Sequence, residues 1–172
     1  MEDLSLHILD VAENSVAADA DKIEIRITED IKRDLLSVEI IDNGSGMDEE
    51  TTKKALDPFY TTKTVRRFGF GLSLLSEAAK TANGSFSIES EKGKGTKICA
   101  TFQHSHFDRQ PLGDMGQTII TLILGNPEID FIYVHKKNNQ HYSFDTREIK
   151  AQLGDIPINS PKVIKILRKD LA

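Results

Sequence analysis

Asp10 and Asn14, a carboxylate and a carboxamide spaced one helical turn apart, are the first residues in this chain whose types and spacing can do chemistry. On one face of a helix such a pair sets a proton acceptor beside a neutral oxygen ligand, and His7 falls close to the same face. Glu13 is a second carboxylate, but it projects about 100° away from Asn14 and ranks behind Asp10. A third acid, Asp42, opens the run Asp42-Asn43-Gly44-Ser45-Gly46-Met47, which taken alone is a turn. Lys63, Arg66 and Arg67 form a basic cluster of a kind commonly just solvated on a loop, and Gly93-Lys94-Gly95-Thr96 alone is an ordinary hairpin turn. The run Lys92-Gly93-Lys94-Gly95-Thr96 lacks the GxxxxGK[ST] spacing of a Walker-type phosphate loop, so that chemistry is excluded.

The elements that must position these residues follow from periodicity. Leu4, Ile8, Val11, Ala12 and Ser15 fall on one stripe, predicting an amphipathic helix from Leu4 to Ala18. Ile23, Ile25 and Ile27 alternate with polar residues, as do Leu36, Val38 and Ile40, predicting an antiparallel strand pair. The glycine loop from Asp42 therefore leaves a strand end, and Asp48 can cap a short helix after it. Residues Asp57 to Phe70 hold a proline, the basic cluster and a glycine without either periodicity, which predicts a loop. Helix resumes at Gly71, with Leu72, Leu75 and Ala79 on one face, and ends near Asn83-Gly84. Phe86 to Ile88 and Ile98 to Phe102 alternate as two more strands. The expected fold is an α/β two-layer sandwich, with helices on one face of a mostly antiparallel mixed sheet and a small α/β C-terminal extension.

Residues 1–104 are expected to form this unit, 105–113 a linker and 114–172 the extension. The extension offers an apolar segment from Thr118 to Leu124, a hairpin from Phe131 to Phe144 around Lys137-Asn138-Asn139, a helix capped by Asp145 or Thr146, and a last helix starting at Ser160-Pro161. With 172 residues, 38% hydrophobic and 28% charged, the chain can bury a real core. Its 22 basic and 27 acidic residues and formal charge of -5 provide no field for a polyphosphate backbone, which argues against nucleic acid as a partner. No apolar run is long enough to cross a bilayer, and Cys99 cannot form an internal disulfide or a multi-cysteine metal site. A cytoplasmic protein with no membrane partner is expected.

Four short elements in order, ENSVAADA, DNGSGM, DPFYTTK with FGFGL, and GKGT, give the chain a resemblance to the GHKL superfamily, the ATP-binding domains of gyrase, heat-shock chaperones, histidine kinases and MutL. The resemblance covers about residues 4 to 102 and implies a Bergerat-type pocket for Mg-ATP. It makes Asn14 the ligand of the Mg ion that bridges the phosphates, since an amide oxygen suits a hard cation. Asp10 stands where many relatives carry a glutamate, which implies a general base one methylene shorter than usual. Asp42 would accept the exocyclic amine of adenine, with Gly44 and Gly46 letting backbone approach the ring and Met47 packing on it. Thr96, after Gly95, would join Asp42 in holding the base through water. The loop from Asp57 to Phe70 resembles the family's lid, with Phe59 near the sugar and Gly69 and Gly71 forming the phosphate turn. Leu72 and Ser73 would offer N–H groups at a helix start, and Lys63, ahead of Arg66 and Arg67, would neutralise phosphate charge.

The first helix begins within a few residues of Met1, leaving no room for the dimerisation helices of a complete histidine kinase, and the tail is too short for the second domain of gyrase or MutL relatives. What remains resembles the anti-sigma-factor kinases. The expected function is an ATPase or protein kinase acting on a separate regulatory protein, with a homodimer open. A non-hydrolysing ATP sensor is the alternative, which aspartate at position 10 favours slightly. Nothing in the tail chooses between extending the sheet, dimerising and receiving the partner.

Overall fold

The computed structural model describes residues 3–55 and 71–172. Strands form where branched apolar residues alternate with polar ones. β1 (Lys22–Asp30) and β2 (Leu35–Asp42) run antiparallel with Ile25 opposite Ile40. Ile23, Ile25, Ile27, Leu36, Val38 and Ile40 are all at most 1% exposed, so one face of this pair is wholly buried. β4 (Gly95–Gln103) pairs antiparallel with β2, and β3 (Phe86–Glu91) lies outside it. On the other side of β1, β5 (Asp130–Lys137) runs parallel to it with Tyr133 opposite Ile25, and β6 (Gln140–Asp145) closes a six-stranded sheet of order β3-β4-β2-β1-β5-β6.

The helices are α1 (Leu4–Ala17), α2 (Glu49–Lys54), α3 (Gly71–Thr81), α4 (Met115–Gly125), α5 (Thr146–Leu153) and α6 (Pro161–Leu171). α1 sits centrally, buries Leu4, Ile8, Val11 and Ala12 completely, and packs against both α3 and α4. Asp48 caps α2 by accepting from the Thr51 N–H at 2.7 Å, as its position before the helix predicts. Asp145 caps α5 through the Arg147 N–H at 2.9 Å, while the fully buried Thr146 hydroxyl accepts from Phe131 N–H at 2.8 Å. The result is the two-layer α/β sandwich that the periodicities predict.

Two regions show more order than their composition suggests. The apolar segment from Thr118 to Leu124 belongs to α4, whose Ile119, Ile120, Leu122 and Ile123 are buried on several sides, so no single helical stripe marks it in the sequence. Residues 105–113 are docked along the molecule: Pro111 and Leu112 carbonyls accept from the Leu4 and Ser5 N–H groups at 2.9 and 2.8 Å. Asp3 makes no side-chain cap, so these carbonyls satisfy the start of α1. The strands that follow share the first sheet, and α4 shares the first core. Among the described residues, no helix is long and apolar enough to cross a membrane.

Candidate functional site

The C-terminal end of β2 places Asp42 between α1 and β4. Its Oδ2 accepts the Ser15 hydroxyl at 2.6 Å, and its Oδ1 accepts the Gly44 N–H at 2.9 Å. Both oxygens are thereby aimed, because a charged acceptor holds its donors strongly. By sequence Ser15 is one more small residue on the buried stripe. Nothing in the chain beside Asn14 tells that the next residue meets a carboxylate from another element.

The glycine loop is fixed by its own backbone and by β3. Ser45 N–H donates to the Ala18 carbonyl at 2.8 Å, seating the loop on the end of α1. Gly46 has φ +68°, and a Cβ there would lie 2.1 Å from the Glu91 carbonyl oxygen, so only glycine fits. Gly44 is similarly tight against Ala18. Met47, 9% exposed, lines the pocket, and its N–H donates to Ser90 Oγ at 2.8 Å. Ser90 Oγ in turn donates to the Gly95 carbonyl at 3.1 Å and sits 2.8 Å from Thr96 Oγ1. When Ser90 gives its proton to Gly95, Thr96 donates to Ser90 and its oxygen keeps acceptor capacity. Ser90 had no sequence signal beyond the alternation of β3.

α1 presents its chemistry unequally. Asn14 is 5% exposed, lines the same pocket, and its Nδ2 has no hydrogen-bond partner. A buried carboxamide left unpaired is costly unless something else meets it. Asp10 and Glu13 are exposed, and loss of water and then the nearby Asp10 charge hold the Glu13 carboxyl above its ordinary range. His7 is 3% exposed, with Nε2 3.0 Å from Gln110 Oε1, so it helps to dock residues 105–113.

The start of α3 closes the group. A Cβ on Gly71 would lie 2.7 Å from Asp10 Cβ, so this glycine lets the helix begin directly against α1. Leu72, 3% exposed, lines the pocket beside Val11. Together Asn14, Asp42, Gly46, Met47, Leu72 and Thr96 line one pocket. Phe59, Lys63, Arg66, Arg67 and Gly69 lie outside the described residues. Among those described, no group of three acids, histidines or cysteines could hold a metal ion. The unpaired Asn14 amide, turned to present its oxygen, nevertheless fits a hard cation that takes its remaining ligands from phosphate and water.

A pocket floored by a carboxylate and a hydroxyl, walled by a glycine loop and roofed by a helix start, is the arrangement of a nucleotide-binding α/β sandwich. The family model described as "Histidine kinase-, DNA gyrase B-, and HSP90-like ATPase" matches residues 2–106, and the chain belongs to that family and carries its ATP-binding domain. An anti-sigma F factor of Clostridium beijerinckii is 33% identical over 75 residues, 43% of this chain and 48% of that protein. The sensor histidine kinase YxdK of Bacillus subtilis is 33% identical over 90 residues, 50% of this chain and 27% of that one, and a putative sensor protein of Shewanella frigidimarina is 38% identical over 73 residues, 42% of this chain and 11% of its length. The chain thus spans less than half the length of each. The N-terminal domain of a DNA repair protein superposes with a TM-score of 0.53 at 16% identity, over 84% of this chain and 52% of that one, a likeness of fold.

Proposed function

We propose that this chain is a regulatory protein that binds Mg-ATP in this pocket and acts, by phosphoryl transfer or by hydrolysis, on a separate partner protein in the cytoplasm. The observation that carries the reading is the Ser15-held Asp42 carboxylate at the pocket floor, an aimed acceptor for the exocyclic amine of adenine. Thr96, with its acceptor capacity facing the same space, would complete the contact through water. Gly44 and Gly46 would let the loop approach the ring, and Met47 would cover it.

Toward the phosphates, Asn14 would hold the metal ion, which when bound neutralises phosphate charge. Gly71 and Leu72 would offer backbone N–H groups and the positive end of α3. Phe59, Lys63 and Gly69 keep the roles implied by the family resemblance, at the sugar and phosphates. Asp10, exposed beside the start of α3, is the proposed general base that takes the proton from the attacking hydroxyl. Its short side chain also supports a second reading, an ATP sensor that changes partner affinity without turnover.

Calorimetric titration with a non-hydrolysable ATP analogue and Mg tests the pocket. Asp42→Ala should abolish binding, and Asn14→Ala should retain binding while losing its Mg dependence; a wild-type chain that binds nothing would sink both readings. Asp10→Ala then separates them. Loss of turnover at unchanged ATP affinity supports the base, whereas a wild-type chain with no turnover alongside its partner supports the sensor.

A further inference from the structure

The serine near the end of β3 bears on the pocket from one strand away. Ser90 pairs with Thr96 in the β3–β4 ladder, and Thr96 pairs with Asp42 in the β2–β4 ladder. The three residues form one row across three strands, and residues directly opposite each other in a ladder project from the same face. Asp42 and Thr96 line the pocket, with Ser90 behind Thr96 on the outer strand.

Ser90 Oγ has three partners. It accepts the Met47 N–H at 2.8 Å, lies 3.1 Å from the Gly95 carbonyl oxygen, and lies 2.8 Å from Thr96 Oγ1. A hydroxyl has one proton and two lone pairs to share among them. The Met47 N–H only donates, so it uses one lone pair. The Gly95 carbonyl only accepts, so it takes the proton. The second lone pair then meets Thr96, which bonds there by giving its own proton. This is the one assignment that makes all three contacts hydrogen bonds.

The backbone around these atoms leaves the row little room to rearrange. Gly93 N–H donates to the Ser45 carbonyl at 2.6 Å, and a Cβ on Gly95 would lie 2.1 Å from the Asp42 carbonyl oxygen. The β3–β4 turn and the glycine loop are thus in direct backbone contact, and the Ser90 hydroxyl is bonded to both.

With its proton turned to Ser90, Thr96 offers the pocket lone pairs alone. Asp42 beside it is also an acceptor, its two oxygens already holding Ser15 and Gly44. Two neighbouring acceptors call for donors. A water lying between them gives up both protons and passes on only its lone pairs. A purine with an amino group at position 6 meets this arrangement with N–H, whereas a 6-oxo purine brings another acceptor and is disfavoured.

We propose that Ser90 is a positioning residue that sets base specificity. By taking the Thr96 proton it leaves the base end of the pocket able only to accept, and so selects an amino over an oxo group at purine position 6 without touching the nucleotide. The proposal rests on the reading of the pocket as a nucleotide site and goes beyond it in assigning discrimination to a residue outside the four motifs.

The test is calorimetric titration of the full chain, with Mg, against non-hydrolysable analogues of ATP and of inosine triphosphate. Their purines differ at position 6 and in the N1 proton that accompanies the oxo group, and the quantity read is the ratio of the two affinities. The wild-type chain should prefer the ATP analogue. Ser90→Ala should lower that preference at least about fivefold, because the freed Thr96 proton can turn to the oxo group. Ser90→Thr, which keeps the hydroxyl, should keep the preference. Thr96→Val should lower it by itself, and adding Ser90→Ala to Thr96→Val should lower it no further. A merely structural serine would weaken both nucleotides together and leave the ratio where it was. An unmoved ratio in Ser90→Ala or in Thr96→Val, a loss in Ser90→Thr equal to that in Ser90→Ala, or an equal further fall in the double variant would each overturn the proposal. A wild-type chain that binds the ATP analogue while the ratio ignores these substitutions counts against Ser90 alone, whereas one that binds neither analogue overturns the proposed function as well.

Discussion

Asp42 is aimed by a hydroxyl from another element, and the worth of that contact can be measured. A hydrogen bond to a charged group contributes about 1.5–3 kcal/mol when its partner would otherwise be left in a dry site. Ser15 is 3% exposed, so Ser15→Ala removes the donor without admitting much water. It should weaken ATP-analogue binding about tenfold, read by calorimetry, and lower the melting temperature by several degrees. An unchanged affinity would mean that Asp42 holds its orientation through Gly44 alone. The buried Asn14 Nδ2, which has no partner within the chain, is the complementary case, a donor that a ligand or water in the pocket can satisfy.

The contact between α1 and α3 decides whether the phosphate end of the pocket has its shape. Gly71 begins α3 where a methyl group would lie 2.7 Å from Asp10 Cβ and 3.4 Å from Val11 N. Relief must come from moving one helix start, and overpacking of this kind costs about 1–3 kcal/mol. Gly71→Ala should lower the unfolding free energy from denaturant titration by that amount and weaken nucleotide binding more than it weakens the fold. The double variant Asp10→Gly with Gly71→Ala, which clears the methyl, should regain stability. If the double variant is no more stable than Gly71→Ala alone, the close approach is not what the glycine serves.

Across the whole molecule, Glu29 ties three segments together: β1, the chain leaving β4 through His104, and β5 through His135. Burial alone would raise its carboxyl, but the hydrogen bonds from His104 and His135 outweigh it and hold the group below the ordinary carboxylate range. A carboxyl bound more strongly when ionised stabilises the fold fully above its unfolded pKa, and that stability is lost as pH falls through the lowered folded value. Glu29→Gln should therefore cost about 1–2 kcal/mol near neutral pH. The gap to the wild-type chain should close as acid protonates the carboxylate in both states, as urea titrations across that range would read. A gap that stays constant with pH would show that packing alone is lost.

Much of this architecture is written in local pattern. Period-two alternation marks β1 to β4, the helical stripe marks α1, and the four short motifs bring out the family and most residues around the pocket before any fold is seen. The structure brings Asn14, Asp42, Gly46, Met47, Leu72 and Thr96 around one pocket, with Gly44 and Gly71 on the loop and helix start that flank it. Local pattern cannot report which strand lies beside which at long range. That β5 runs parallel to β1, so that the extension continues the first sheet, depends on pairings between residues far apart in the chain. The same holds for Ser15 on Asp42, Ser90 on Thr96 and the carbonyls of Pro111 and Leu112 on the start of α1. Each is an ordinary polar group by type, and only the register of distant elements turns it into a partner. Sequence thus determined which residues could make a nucleotide pocket, and the tertiary structure alone decided which groups aim them, because hydrogen bonds act over a few ångströms in space with no regard for distance along the chain.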